Sequence, residues 1–276
     1  MLKFRGIFCP LLTPFDHRGE LYLSKVRHNV ERLNQTTLAG YLVSGDAGES
    51  PLLTFDERVR LYGEVKGQAA EGRILIADVS APSVHETTLL AKEAADAGYD
   101  CVFVGGSRLC GNPRVYLSTV ADRSPVPLVA GLTGDQGEIG AHPNVAAVCC
   151  AGSPDDVSKL RAALPDRVQL LTSSEAEAVD CFQAGATAAI LPLVNVAPFY
   201  LLSIEEAIRT REIDAAKDLV TVAADLIAAV AELGPGGLKH AADLQGYYGG
   251  RPRLPLESIG PGAQQRIAKA LEGIAS

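Results

Sequence analysis

A surplus of positive charge is the first thing this sequence lacks: 25 lysines and arginines face 33 aspartates and glutamates, for a formal net charge of −8. Nucleic acid and anionic membrane surfaces repel such a chain, so the expected partner is a small molecule. No apolar run approaches the roughly 20 residues that a membrane helix needs. The opening MLKFRGIFCPLLTPFDHRGE is interrupted by Pro10 and Pro14 and has no small-residue cleavage site, which argues against a signal peptide. Cys9, Cys101, Cys110, Cys149, Cys150 and Cys181 show no close-set disulfide spacing and read as reduced thiols of a cytoplasmic protein. Metal-ligand spacing is missing too, since neither His142 nor His240 stands near another His or Cys in the required pattern. There is no low-complexity linker, and 276 residues of 47% hydrophobic content can bury one large core.

What is there is alternation. Apolar runs at Phe4–Leu12, Ala39–Val43, Ile74–Val79, Asp100–Val104, Pro127–Ala130, Val145–Cys150, Val168–Leu171 and Ala188–Leu191 read as strands. Helix-compatible stretches separate them: Ser24 is a plausible N-cap, Thr54 with Glu57 has capping-box spacing, and Ser83 precedes Glu86 in the same way. A later helix is expected over Ser174–Gln183. Strands alternating with helices imply a parallel sheet, and eight units at this length imply an α/β fold of the (β/α)8 TIM-barrel type. The unit after strand five is the exception. Its connection, GLTGDQGEIGAHPN, holds four glycines and a proline, so that helix is expected to be missing or shortened. Beyond strand eight, Pro198–Thr210, Ile213–Leu233, Lys239–Gln245 and Pro261–Ile274 read as helices. Residues 1–210 are therefore expected to form the barrel and 211–276 a helical extension packed on it, as one structural domain.

Several runs, in order, resemble the dihydrodipicolinate synthase and N-acetylneuraminate lyase family of class I aldolases. They are GIFCPLLTPFDHRGEL, GYLVSGDAGESPLLTFDERVRL, AKEAADAGYDCVFV, HPNVAAV, GATAAILPLVNVAPF and GLKHAADLQGYYGG. The family's chemistry rests on a strand-six lysine that forms a Schiff base with an α-keto acid such as pyruvate. The resemblance places that position at Cys149, five residues beyond Asn144, or at Val148 if the count runs back from the next helix; neither is lysine. The family's two loop threonines correspond to Asp46 and Ala47, with Gly45, Gly48 and Glu49 kept. Gly131 stands at the position of the relay tyrosine, and a second family tyrosine falls near Ser107 and Arg108. The resemblance thus implies a homo-oligomer, dimer or tetramer, that lacks Schiff-base aldolase activity and serves as a small-ligand-binding or regulatory protein. The alternative is an active lyase of a small oxo acid using another nucleophile or a metal. No cofactor is implied.

The ligand-binding candidates are Gly45, Asp46, Ala47, Gly48, Cys149, Ile190 and Arg108. Cys149 and Cys150 are either a reactive thiol at the mouth or small apolar filler, and strand alternation lets only one of them enter the barrel. Asp46 and Asp78, at predicted strand ends, are either a divalent-cation pair or solvated loop carboxylates. Arg108 is either an anion grip or a surface ion pair. Gly45 and Gly48 read as backbone turn residues, His142 and His240 as structural, and Lys239 as the start of a helix.

Overall fold

The computed structural model describes residues 2–105, 112–132 and 137–274. Eight strands close into a barrel in sequence order: β1 (Gly6–Pro10), β2 (Gly40–Val43), β3 (Ile74–Asp78), β4 (Cys101–Gly105), β5 (Leu128–Leu132), β6 (Val145–Cys150), β7 (Gln169–Thr172) and β8 (Ala188–Ile190). Every neighbouring pair is parallel, including β1 with β8. The helices are α1 (Leu23–Leu33), α2 (Phe55–Gln68), α3 (Val84–Asp96), α4 (Pro113–Arg123), α5 (Pro154–Ala163), α6 (Ala178–Gln183), α7 (Pro198–Arg209), α8 (Ile213–Leu244) and α9 (Pro261–Glu272). Between β5 and β6 the described residues contain only a 3-10 segment, Gly137–Ala141, as the glycine content requires.

Two apolar layers follow from the period-2 alternation of the strands. The inner one fills the barrel with Phe8, Leu42, Ile76, Cys101, Val129, Ala147, Cys149, Leu171, Ala188 and Ile190. The outer one, including Val148 and Cys150, packs against the helices. The base of the barrel is closed by Gln169, whose Oε1 accepts from the Phe4 amide and whose Nε2 donates to the Leu2 carbonyl, both at 2.8 Å. Ligands therefore reach the barrel from the opposite end, where the strands terminate.

Local signals fixed some helix starts and not others. Thr54 and Glu57 form the full capping box, and Ser83 accepts from the Glu86 amide. Ser24 is not a cap: α1 begins one residue earlier, because the Phe15–Leu21 bridge and the Tyr22 N–H to Pro14 carbonyl bond turn the chain before it. The expected helix from Ser174 starts only at Ala178. The Ser174 amide instead donates to Thr172 Oγ1, and Glu175 turns its side chain to the Leu193 amide. Lys239 does not open a helix either. α8 is broken at Gly234, with φ 59° and ψ −148°, and Lys239 lies well inside its second half. This helix also corrects the expectation of no membrane-length apolar segment, for it is long and apolar enough by length and composition. Its apolar face is taken up by α7 and α9, with Ala216, Ala223, Leu226 and Ala229 buried.

Candidate ligand site at the barrel mouth

The strand register assembles the mouth. Gly105 of β4 pairs with Gly131 of β5, Gly131 with Cys149 of β6, and Cys149 with Leu171 of β7. Cys149 points into the barrel, while Val148 and Cys150 face the helices. The inward thiol is 5% exposed. Burial pushes its pKa up to about 12, against a smaller opposite pull from its hydrogen bond with Ser173. It is a neutral thiol at physiological pH, and among the described residues no cation or base draws its pKa down as in activated cysteine nucleophiles.

Gly131 has no room for a larger side chain. A Cβ there would meet Phe103 Cζ at 2.5 Å and Gly105 Cα at 3.2 Å. The Phe103 ring spans both glycines and makes this side of the mouth apolar. Ile190, 4% exposed, lies in the same inner layer.

The loop after β2 supplies the polar side. Gly45 is extended (φ −86°, ψ −168°) and its carbonyl accepts from the Gly48 amide in the turn, while Ser44 (φ 63°) and Glu49 (φ 59°) hold the left-handed conformations. Gly48 is required for a different reason, since its Cβ would come within 2.9 Å of the Leu11 carbonyl and Thr13 Oγ1. Both strained ends are clamped by buried charge. At one end the Arg58 guanidinium donates to Ser44 Oγ at 3.1 Å, the Ser80 carbonyl at 2.8 Å and the Asp78 carbonyl at 2.6 Å. At the other, Lys239 Nζ stands 2.5 Å from Glu49 Oε1, both side chains being fully buried, and the Arg253 amide donates to Glu49 Oε2. Desolvation lowers the Lys239 pKa although Glu49 opposes the change. Phe15 separates the two cations, with Lys239 Nζ 4.4 Å and Arg253 Cζ 4.1 Å from its ring centre.

Asp46 is exposed on a 3-10 turn and Ala47 is half-buried beside it. Asp78, read from sequence as a solvated carboxylate, is instead 4% exposed. Burial raises its pKa to about 6, opposed by Arg58, whose Nη2 lies 3.8 Å from Oδ1. Asp46 and Asp78 do not form a cation cage, for no group of three His, Cys, Asp or Glu side chains suited to a metal occurs among the described residues. Arg108 and Ser107 lie outside the described residues, as do Cys110 and the run Thr133–Asp135. His142 is structural, its Nε2 2.9 Å from Asp122 Oδ1.

Residues 3–104 match the model of the Dihydrodipicolinate synthetase family. The chain is also 26% identical to the 4-hydroxy-tetrahydrodipicolinate synthase of Methanoculleus marisnigri, covering 97% of this chain and 98% of that one. The N-terminal part of the chain thus carries a match to the dihydrodipicolinate synthetase family, and the whole length is similar to its synthases. The corresponding enzyme of Streptococcus mutans is 25% identical over 97% of both chains. The dihydrodipicolinate synthase family fold is recovered in crystal structures from Bacillus anthracis (TM-score 0.94, 20% identity, all of both chains) and Aquifex aeolicus (TM-score 0.91, 22% identity, 98% of both chains).

Three mouth residues escape sequence reading. Glu175, beyond β7, has its pKa raised to about 7 by burial while its Oε1 accepts from the Leu193 amide at 2.6 Å. Arg58 is hidden because helix position alone does not reveal that its guanidinium turns inward. Phe103 carried a signal: an aromatic residue at a strand end beside Gly105 marks a ring covering a neighbour that has no side chain.

Proposed function

We propose that this chain is a dihydrodipicolinate synthase family homologue that has lost Schiff-base aldolase activity and acts as a cytoplasmic small-ligand-binding or regulatory protein, assembled as a homo-oligomer. The observation that carries the reading is Cys149: the inward position at the end of β6 holds a buried, neutral thiol where the family chemistry requires a lysine amine. A thiol can add to a carbonyl but cannot form an iminium, so it offers no electron sink for carbon–carbon cleavage. Gly131, covered by Phe103, supplies no phenol to relay a proton. Lys239 does not substitute for the missing amine, since it is fully buried and paired with Glu49.

The ligand in this reading is a small molecule, with oxo acids the first class to test, bounded by Gly45, Asp46, Ala47, Gly48, Cys149 and Ile190. Arg108 is the proposed contact for an anionic group. The barrel (1–210) and the helical extension (211–276) act as one unit, because Lys239 and Arg253 of the extension hold Glu49 and Glu57 of the barrel. Calorimetric titration with pyruvate and other short oxo acids, alongside a turnover assay, tests the proposal. Saturable binding without turnover supports it; cleavage or condensation of an oxo acid overturns it.

A further inference from the structure

Outside the barrel, a cavity of about 430 Å³ opens between the loop after β1, the second half of α8 and the segment leading into α9. That volume is in the range of small-molecule sites. Its charged walls are only half used. Asp16 Oδ1 accepts from the Arg18 and Glu20 amides at 2.8 and 2.9 Å, which lowers the Asp16 pKa, while Oδ2 makes no hydrogen bond among the described residues. Asp243 Oδ1 accepts from the Gly249 and Gly250 amides at 2.8 and 3.3 Å, and its Oδ2 is likewise unbonded among them. His17, His240 and the guanidinium of Arg251 line the same cavity, with His17 acting electrostatically on Asp16.

We propose that this cavity binds a small zwitterion of the α-amino acid type, with its carboxylate toward Arg251 and the imidazoles and its ammonium toward Asp16 and Asp243. The mixed wall selects this class. A dianion such as phosphate is repelled by the two carboxylates, and a simple amine leaves the guanidinium without an anionic partner. An oxo acid pairs with the guanidinium but offers no cation to the two aspartates. The start of the second half of α8 favours the carboxylate end, since Gly236, just after the break at Gly234, lines the cavity. This site goes beyond the barrel-mouth reading and does not depend on it. The two are nevertheless joined through the fold, since the Arg251 carbonyl accepts from Lys239 Nζ at 3.2 Å and Lys239 in turn holds Glu49.

Calorimetry on the full chain tests the site, using glycine, alanine, serine, aspartate and lysine, each beside the carboxylate that lacks its α-ammonium. At least one amino acid binds saturably, and its deaminated partner binds at least about tenfold more weakly. Arg251→Gln and, separately, His240→Gln weaken binding by about tenfold each. No binding by any of the five at about 10 mM overturns the proposal, as does equal binding of the deaminated partners. Binding unchanged in both variants places the ligand elsewhere and overturns it too.

Discussion

The ring of Phe103 occupies the space that Gly131 leaves empty, so closely that a Cβ on Gly131 would lie 2.5 Å from Phe103 Cζ. The pair predicts a compensation. Gly131→Tyr overpacks the mouth and destabilises the fold by about 1–3 kcal/mol. Phe103→Ala alone costs about 3 kcal/mol through the void it opens. The double variant is more stable than the sum of the single losses, and denaturant unfolding of the four proteins measures the coupling.

Asp78 and Glu175 predict an unusual dependence of stability on pH. Burial pushes their folded pKa values up to about 6 and about 7, above the ordinary 3.8 and 4.5 of the free side chains. The folded state therefore binds more protons than the unfolded chain between these limits, and stability falls as pH rises through that window. Each group contributes on the order of 2–3 kcal/mol that is present at pH 4 and lost by pH 8. Asp78→Asn and Glu175→Gln flatten the slope, which urea titrations across this range read directly.

The buried Lys239–Glu49 pair predicts a large single effect and a small double one. Lys239→Met leaves Glu49 charged and uncompensated, at a cost of about 3–5 kcal/mol. Adding Glu49→Gln recovers most of the loss, because the buried charge is then gone. Thermal unfolding of both variants checks the pair, and hydrogen exchange at residues 44–49 shows whether the left-handed ends of the loop loosen.

The thiol of Cys149 predicts resistance to alkylation. At 5% exposure and a pKa of about 12, it has almost no thiolate at pH 8. Iodoacetamide labelling followed by peptide mass mapping finds Cys149 unmodified in the native protein and modified in denaturant.

The barrel was legible because its signals are local and periodic. Thr54 and Glu57 lie three residues apart and form the cap that their spacing announces. The glycines after β5 likewise suppress a helix by composition alone. At the mouth, alternation showed that only one of Cys149 and Cys150 enters the barrel, and the structure makes it Cys149. What stayed hidden depends on long-range packing. Asp78 looks like a loop carboxylate until Arg58, from the preceding helix α2, reaches over it. Lys239 looks like a surface residue of the cap until the extension folds onto Glu49. Nor does composition reveal that Ser44 and Glu49 carry the loop's left-handed backbone, where buried side-chain bonds at both residues outweigh the backbone preference.

Borohydride trapping with pyruvate, read by intact mass, tests the central claim most directly, with a family member that carries the strand-six lysine as positive control. The account predicts a reduced adduct on the control and none on this chain, because no lysine stands in β6 and Lys239 is locked against Glu49. A pyruvyl adduct on this chain, mapped to any lysine near the barrel mouth, would contradict it.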